Sequence, residues 1–406
     1  MEWKKLKDVF QKPINGAWGK APKDEDKGLV KVLRTTNFTN NGKLDLESEV
    51  VLRKIKESKV EKKKLEYGDI IIEKSGGSPT QPVGRVVFFD QTDDTYLCNN
   101  FTAVLRTKEG YYSKYIIYMM LYLYKTRVVL KFQNKTTGIG NLKLKSYLSR
   151  TKIPVLPIEI QQKIAAALDK AQELIDKRRE QLEKLDEFVE SVFLDMFGDP
   201  ATNPNEWQVE KMNYFINDIR AGWSIGGESR QKKENEIGVL KISSVTTGKF
   251  LKDEYKVVDK EKIKKDLVHP LKGDVLFSRA NTRELVAATC IVDDDYTDLF
   301  LPDKLWKIIL DREIVNSYYF VYLLRNERYR HRLTRKATGS SGSMLNISQK
   351  KLLNTKFPIA PLELQNKFAQ IVEATEEKRK ILEESLAEMK NNFNSIMQKA
   401  FKGELF

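Results

Sequence analysis

Apolar positions recur every seven residues between Pro154 and Gly198. Leu168, Ile175, Leu182, Val189 and Met196 form one line; Ile164, Ala171, Leu185 and Val192 form a second, interrupted by Arg178. Together the lines make one stripe along a long helix, the pattern of a coiled-coil seam. From Ile158 to Phe197 there is no Pro or Gly, and Ala, Leu, Glu, Gln and Lys dominate, which favours helix. Pro154 and Pro157 keep the approach extended or turned. Gly198 and Pro200 stop the helix. Taken from Glu159 to Met196, it is roughly 57 Å long at ~1.5 Å per residue.

The same pattern returns near the C-terminus. A shift of 204 residues carries Pro154, Pro157, Glu159 and Gln161 onto Pro358, Pro361, Glu363 and Gln365. Leu168 falls on Val372, Leu182 on Leu386, Leu185 on Met389, Val189 on Phe393 and Val192 on Ile396. Two positions trade character: Ile175 falls on Arg379, and Arg178 on Leu382. Two proline-led helices that match this well indicate an internal duplication. An apolar stripe needs a partner, because most helix stability comes from packing. The other copy in the same chain is the expected partner, in an antiparallel pair; a second chain or another protein is the alternative.

The segments ahead of the two helices also correspond. Trp3 matches Trp207 at the same shift. Leu29–Leu33, Asp69–Ile72, Val83–Phe89 and Thr102–Leu105 read as short strands, rich in β-branched or aromatic residues and bounded by turn formers. The stretch beginning Gly68-Asp69 reads as strand, Gly-Pro loop, strand, and Gly273-Asp274 opens its counterpart. Helices are expected at Tyr111–Leu123 and Val315–Glu327; the uncharged run Tyr115–Tyr124 is too short to span a membrane. The expected fold class is α+β: two repeated mixed α/β domains alternate with two long helices that pair as an antiparallel coiled coil. The expected boundaries are residues 1–153, 154–200, 201–357 and 358–406.

Charge narrows the partners. The 406 residues carry a formal net charge of +14, which suits nucleic acid, an anionic membrane or an acidic protein, and equally a lysine-rich proteome. Two Cys, Cys98 and Cys290, and two His, His269 and His331, argue against a disulfide scaffold and against a Cys- or His-based metal site. No signal peptide is read at the start, so a cytoplasmic protein without membrane attachment is expected.

At this point the residues resemble a known family, the DNA specificity subunits of type I restriction-modification systems. The resemblance rests on the P-x-x-P-x-E-x-Q helix starts at Pro154 and Pro358, the Thr-Gly loops Thr137-Gly138 and Thr338-Gly339, and the Gly-Asp strand units. It covers essentially the whole chain. It implies two target recognition domains, each reading one half of a split site on double-stranded DNA, with the helices setting the gap. It further implies two adenine-methyltransferase (modification) subunits and restriction/translocase subunits as partners, with no cofactor and no catalysis in this chain. The helical spacer and docking positions would be Leu168, Ile175, Leu182, Leu185, Val189, Leu382, Leu386, Met389 and Phe393.

Two groups of residues are candidates for touching DNA. The strand-loop units offer Lys74, Ser75, Gly76, Gly77, Ser78, Thr80 and Arg85 in the first copy, and Arg279, Asn281, Thr282 and Arg283 in the second. Arg and Lys donate to guanine, Asn pairs with adenine, and Ser or Thr serves either; the glycines let backbone approach a phosphate. A plain surface turn is the alternative. The second group is Arg328, Arg330, Arg332, Arg335 and Lys336, dense enough for phosphate contacts, although basic residues at a helix end also complement its dipole. The matching place in the first domain is thinner, with Arg127, Lys131 and Lys135. Trp18 and Trp223, beside glycines, are expected to be buried, with a DNA-contacting loop as the alternative.

Catalytic signatures are missing. The chain has no phosphate-binding loop, no Rossmann fingerprint, and no Asn- or Asp-Pro-Pro-Tyr run. Asp69, Glu73 and Lys74 resemble a metal-dependent nuclease cluster, but the second copy carries Ser278 and Arg279 in place of Glu73 and Lys74. The basic property persists where the carboxylate does not, as in a binding loop. A nuclease or accessory enzyme and a coiled-coil scaffold are the other function classes.

Overall fold

The computed structural model describes residues 2–78, 80–136, 139–335 and 344–404. Thr137, Gly138, Lys336, Thr338 and Gly339 lie outside the described residues, as does the side chain of Lys135. The chain divides into two compact units, residues 1–179 with 384–406, and residues 180–383. Two long helices, Ile158–Phe197 and Leu362–Lys402, run through both. Each unit therefore holds the N-terminal half of one long helix and the C-terminal half of the other, so the two pack antiparallel. The expected α+β class, with two mixed modules and two paired helices, is the observed one.

In the first unit a four-stranded antiparallel sheet runs Ile14–Asn15, Thr102–Leu105, Ile70–Glu73, Val86–Phe88 in space. The I-I-I run of its third strand is fully buried, as a strand covered on both faces requires. A second sheet has Val30–Leu33 at its centre, antiparallel to Val51–Arg53 and parallel to Tyr96–Cys98. A small third sheet orders Gln133–Thr136, Ile139–Leu142 and Ser75–Gly76. Glu2–Lys5 pairs with Lys152–Val155, the strand that runs into the first long helix.

The second unit repeats this plan. Its four-stranded sheet runs Ile216–Ala221, Leu305–Leu310, Val275–Ser278, Thr289–Ile291. Ile237–Leu240 is antiparallel to Tyr255–Val258 and parallel to Leu299–Phe300. Ala280–Asn281 pairs with Leu345–Asn346, and Gln208–Lys211 with Lys356–Ile359. The helix expected at Val315–Glu327 runs Ser317–Arg325 instead. Asn316 caps it, its side-chain oxygen accepting from Tyr318 N at 2.8 Å, and Asn326 caps a further helix, Glu327–Thr334. In the first unit the corresponding helix is Ser113–Lys125.

The proline-led motif is a clamp between helix start and module. Gln161 is buried; its Oε1 accepts from Tyr112 N at 2.9 Å and its Nε2 donates to Leu156 O at 2.7 Å. Gln365 does the same with Asn316 N at 2.8 Å and Ala360 O at 2.7 Å. Just beneath, Tyr115 Oη donates to Pro154 O at 3.1 Å, and Tyr319 Oη to Pro358 O at 2.9 Å.

The seam is deepest where a module covers it. Leu168, Ile175, Val189, Leu386 and Phe393 are buried, whereas Leu182, Leu185, Leu382 and Met389 are half-buried. At the end of the first long helix the heptad line shifts. Phe193 and Phe197 are buried, and Val192 and Met196 only partly so. The two phenylalanines meet Phe368 at 5.4 and 5.6 Å between ring centroids, so aromatic packing rather than heptad register sets the contact.

Candidate nucleic-acid interface

The same ends of three adjacent strands form a polar surface in each module. In the first, Lys74 follows Ile70–Glu73, Asn15 ends Ile14–Asn15, and Phe101 precedes Thr102–Leu105. Lys74 Nζ donates to Asn15 Oδ1 at 2.8 Å, and Lys63 Nζ to the carbonyls of Asn15 and Gly16 at 2.7 and 3.0 Å. Partial burial lowers the pKa of the Lys74 ammonium from its ordinary value. The amides of Lys74 and Ser75 both donate to Phe101 O, at 2.7 and 3.2 Å.

The described residues beyond Lys74 are held by hydrogen bonds. Ser75 and Gly76 pair with Asn141 and Gly140, and Ser75 Oγ donates to Asn141 Oδ1 at 2.5 Å. Gly77 has φ +76°, and a Cβ there would lie 2.9 Å from Gln81 O. Ser78 N donates to Gln81 O at 2.7 Å, and Ser78 Oγ lies 3.1 Å from Thr80 Oγ1. Gly77, Ser78 and Thr80 are exposed. Arg85 has a different place: it faces inward, holding Glu73 at 3.1 Å and donating to Phe38 O and Thr35 O at 3.0 Å each. With Glu73 2% exposed, this pair supports the loop from below. It also answers the nuclease-like cluster, since Asp69 is engaged by Arg106 at 2.8 Å. Among the described residues no group of three or more His, Cys, Asp or Glu is placed to hold a metal ion.

In the second module Arg279 occupies the place of Lys74. Its amide donates to Lys304 O at 3.0 Å, as that of Lys74 does to Phe101 O. Its guanidinium donates to Asp303 O at 2.9 Å and stands over the Trp306 ring at 5.9 Å, leaving 30% of the side chain exposed. Asn281 Oδ1 accepts from Thr282 N at 2.9 Å, and Arg283 is exposed. Three of the clustered arginines, Arg328, Arg330 and Arg332, lie on the helix Glu327–Thr334. Arg328 pairs with Asp199 and Arg332 donates to Ala201 O, so two of its arginines bind the turn after the first long helix. Arg330 is half-buried and Arg335 exposed. In the first module Arg127 and Lys131 are exposed, and Lys135 lies in the strand Gln133–Thr136.

Trp18 and Trp223 are half-buried rather than buried. The Arg53 guanidinium stacks 4.0 Å from the Trp18 ring centroid. Cys98 and Cys290 are unpaired and buried, and burial pushes their thiols up to about 11 and about 12, away from reactivity. Sequence reasoning missed Asn15, Lys63, Phe101 and Lys304, whose neighbours are remote in the chain; only the excess of lysine hinted at them.

Fold and surface together define a tandem pair of mixed α/β modules, each with basic strand ends and each on half of a helix pair. The chain belongs to the type I restriction modification DNA specificity family, whose domain model matches residues 1–186 and 204–391. It is 24% identical to the EcoKI specificity subunit of Escherichia coli (strain K12) over 401 residues, covering 92% of this chain and 82% of that protein. It is 25% identical to the E. coli EcoEI specificity subunit over 175 residues, 43% of this chain; the match spans only 30% of that relative. In fold it is similar to the crystal structure of the type I restriction-modification S subunit from M. genitalium, with TM-score 0.55, 12% identity, and 98% and 96% of the two chains covered.

Proposed function

We propose that this chain is a non-catalytic subunit that reads a split site on duplex DNA and directs a methylating assembly to it. The observation that carries the reading is the matching position of Lys74 and Arg279 at equivalent strand ends of two modules, in a chain of the DNA specificity family. Residues 1–153 and 201–357 act as the two target recognition domains, and 154–200 and 358–406 as the helical regions that separate them. Lys74, Ser75–Ser78 and Thr80 address one half-site, and Arg279, Asn281, Thr282 and Arg283 the other, through base edges and phosphates. Arg85 contributes by holding the loop. Arg330 and Arg335, with Lys131, Lys135 and Lys336, add salt-dependent phosphate attraction, and Arg328 and Arg332 join them while anchoring their helix. Two adenine-methyltransferase subunits dock on the helical regions, and restriction/translocase subunits join the larger complex. The protein works in the cytoplasm; among the described residues no helix is long and apolar enough to cross a membrane.

Mapping of methylated adenines in cells with and without this chain, alongside its modification subunit, tests the reading. Two unlike half-sites at fixed spacing, lost when the chain is absent, are expected. Methylation that persists unchanged without it would refute the proposal. Removing one heptad from each long helix shortens the spacing; an unaltered gap would refute the spacer role alone.

A further inference from the structure

We infer that Phe101 is a specificity-determining residue of the first module, making an apolar contact with the C5-methyl group of a thymine in the major groove. The inference rests on the DNA-reading function proposed above. Phe101 is 57% exposed, so more than half of its surface is left in water. Its backbone is nevertheless held on every side. Phe101 N donates to Asn99 Oδ1 at 3.1 Å, and Thr102 Oγ1 donates to Asn99 O at 2.8 Å. Asn99 is itself buried, and its amide donates to Leu33 O at 3.0 Å. Phe101 O accepts from Lys74 and Ser75, the first two residues of the basic loop. A large aromatic ring is thus presented outward from a rigid turn beside Lys74 and Lys63.

Lysines at this surface supply attraction to phosphates, and a projecting ring supplies what they lack, an apolar reader. In the major groove the thymine methyl is the one apolar feature, and it is met by residues such as Phe. The second module carries Lys304 at the equivalent place, so only one half-site gains this contact. A rigid turn also means that little backbone freedom is lost on binding.

The test uses the full chain with its modification subunit and the duplex that methylation mapping identifies. Thymines of both half-sites are replaced singly by uracil, which lacks only the methyl group. In one half-site a single replacement should weaken wild-type binding about fourfold, the worth of one buried methyl group, and leave Phe101→Ala indifferent. Phe101→Leu should retain part of the discrimination. Equal binding of cognate and scrambled duplexes by the wild type would defeat the DNA-reading function itself. A preference for the cognate duplex with a flat uracil scan, or the same uracil sensitivity in Phe101→Ala, would overturn the methyl contact and leave that function standing.

Discussion

Arg379 and Asp186 are joined within the second unit by a 2.6 Å ion pair between Nη2 and Oδ1. The arginine is 5% exposed and the aspartate 56%, so the pair is half solvated. Arg379 also reaches Glu376 at 3.2 Å and Leu182 O at 3.4 Å. Its repeat-equivalent, Ile175, is an ordinary buried seam residue. Arg379→Ile should therefore keep stability within about 1 kcal/mol of wild type, because an apolar residue of similar volume replaces a costly buried charge. Asp186→Ala should lose about 1–2 kcal/mol, because the guanidinium stays buried with weaker partners. Urea unfolding midpoints measure both; a larger loss for Arg379→Ile than for Asp186→Ala reverses the ranking.

The paired tyrosines give a test of the duplication itself. Tyr115→Phe and Tyr319→Phe each remove one donor to a proline carbonyl while keeping the ring. Each should cost about 1 kcal/mol, and the two losses should agree within experimental error. Calorimetric transitions of the two variants read this directly. A large asymmetry would mean that the two helix starts are not equivalent in energy.

Gly16 and Gly222 mark the closest backbone approaches at the two strand ends. A Cβ at Gly16 would sit 1.9 Å from Asn99 O, and at Gly222 1.9 Å from Leu301 O. Neither clash can be relieved by a side-chain rotation, because both partners are backbone. Gly16→Ala and Gly222→Ala should each destabilise by about 1–3 kcal/mol. Each should also weaken recognition of one half-site more than the other. Comparing binding on duplexes altered in either half separates the effects; equal loss on both halves would contradict the modular reading.

Arg85 separates support from contact. Arg85→Ala leaves Glu73 buried without its partner and should cost about 3–5 kcal/mol. Replacing both residues by leucine should recover much of that loss, since no unpaired charge remains. Chemical denaturation of the three proteins gives the comparison. Wild-type stability in Arg85→Ala, with weaker DNA binding, would make Arg85 a direct contact instead.

The helices and the duplication were legible in the sequence because their signals are local. A heptad stripe, a proline-led start and a glycine stop all act within a few turns of chain, so Ile158–Phe197 was placed within a residue at each end. The loops at Lys74 and Arg279 were legible as basic turns for the same reason. What each basic side chain does was not. Arg85 turns inward to Glu73 because the Ile70–Glu73 strand lies beside Val86–Phe88 in the sheet. Lys63 and Lys74 converge on Asn15, and Phe101 is held beside them, because strands remote in sequence end side by side. Phe193 and Phe197 displace the heptad line because Tyr319 and Phe368 offer rings to pack against. Periodicity and turn chemistry thus belong to the sequence alone. Which charges are paired, and which aromatic ring is left facing outward, depends on sheet order and hydrogen bonds between distant residues, and only the tertiary structure decides it.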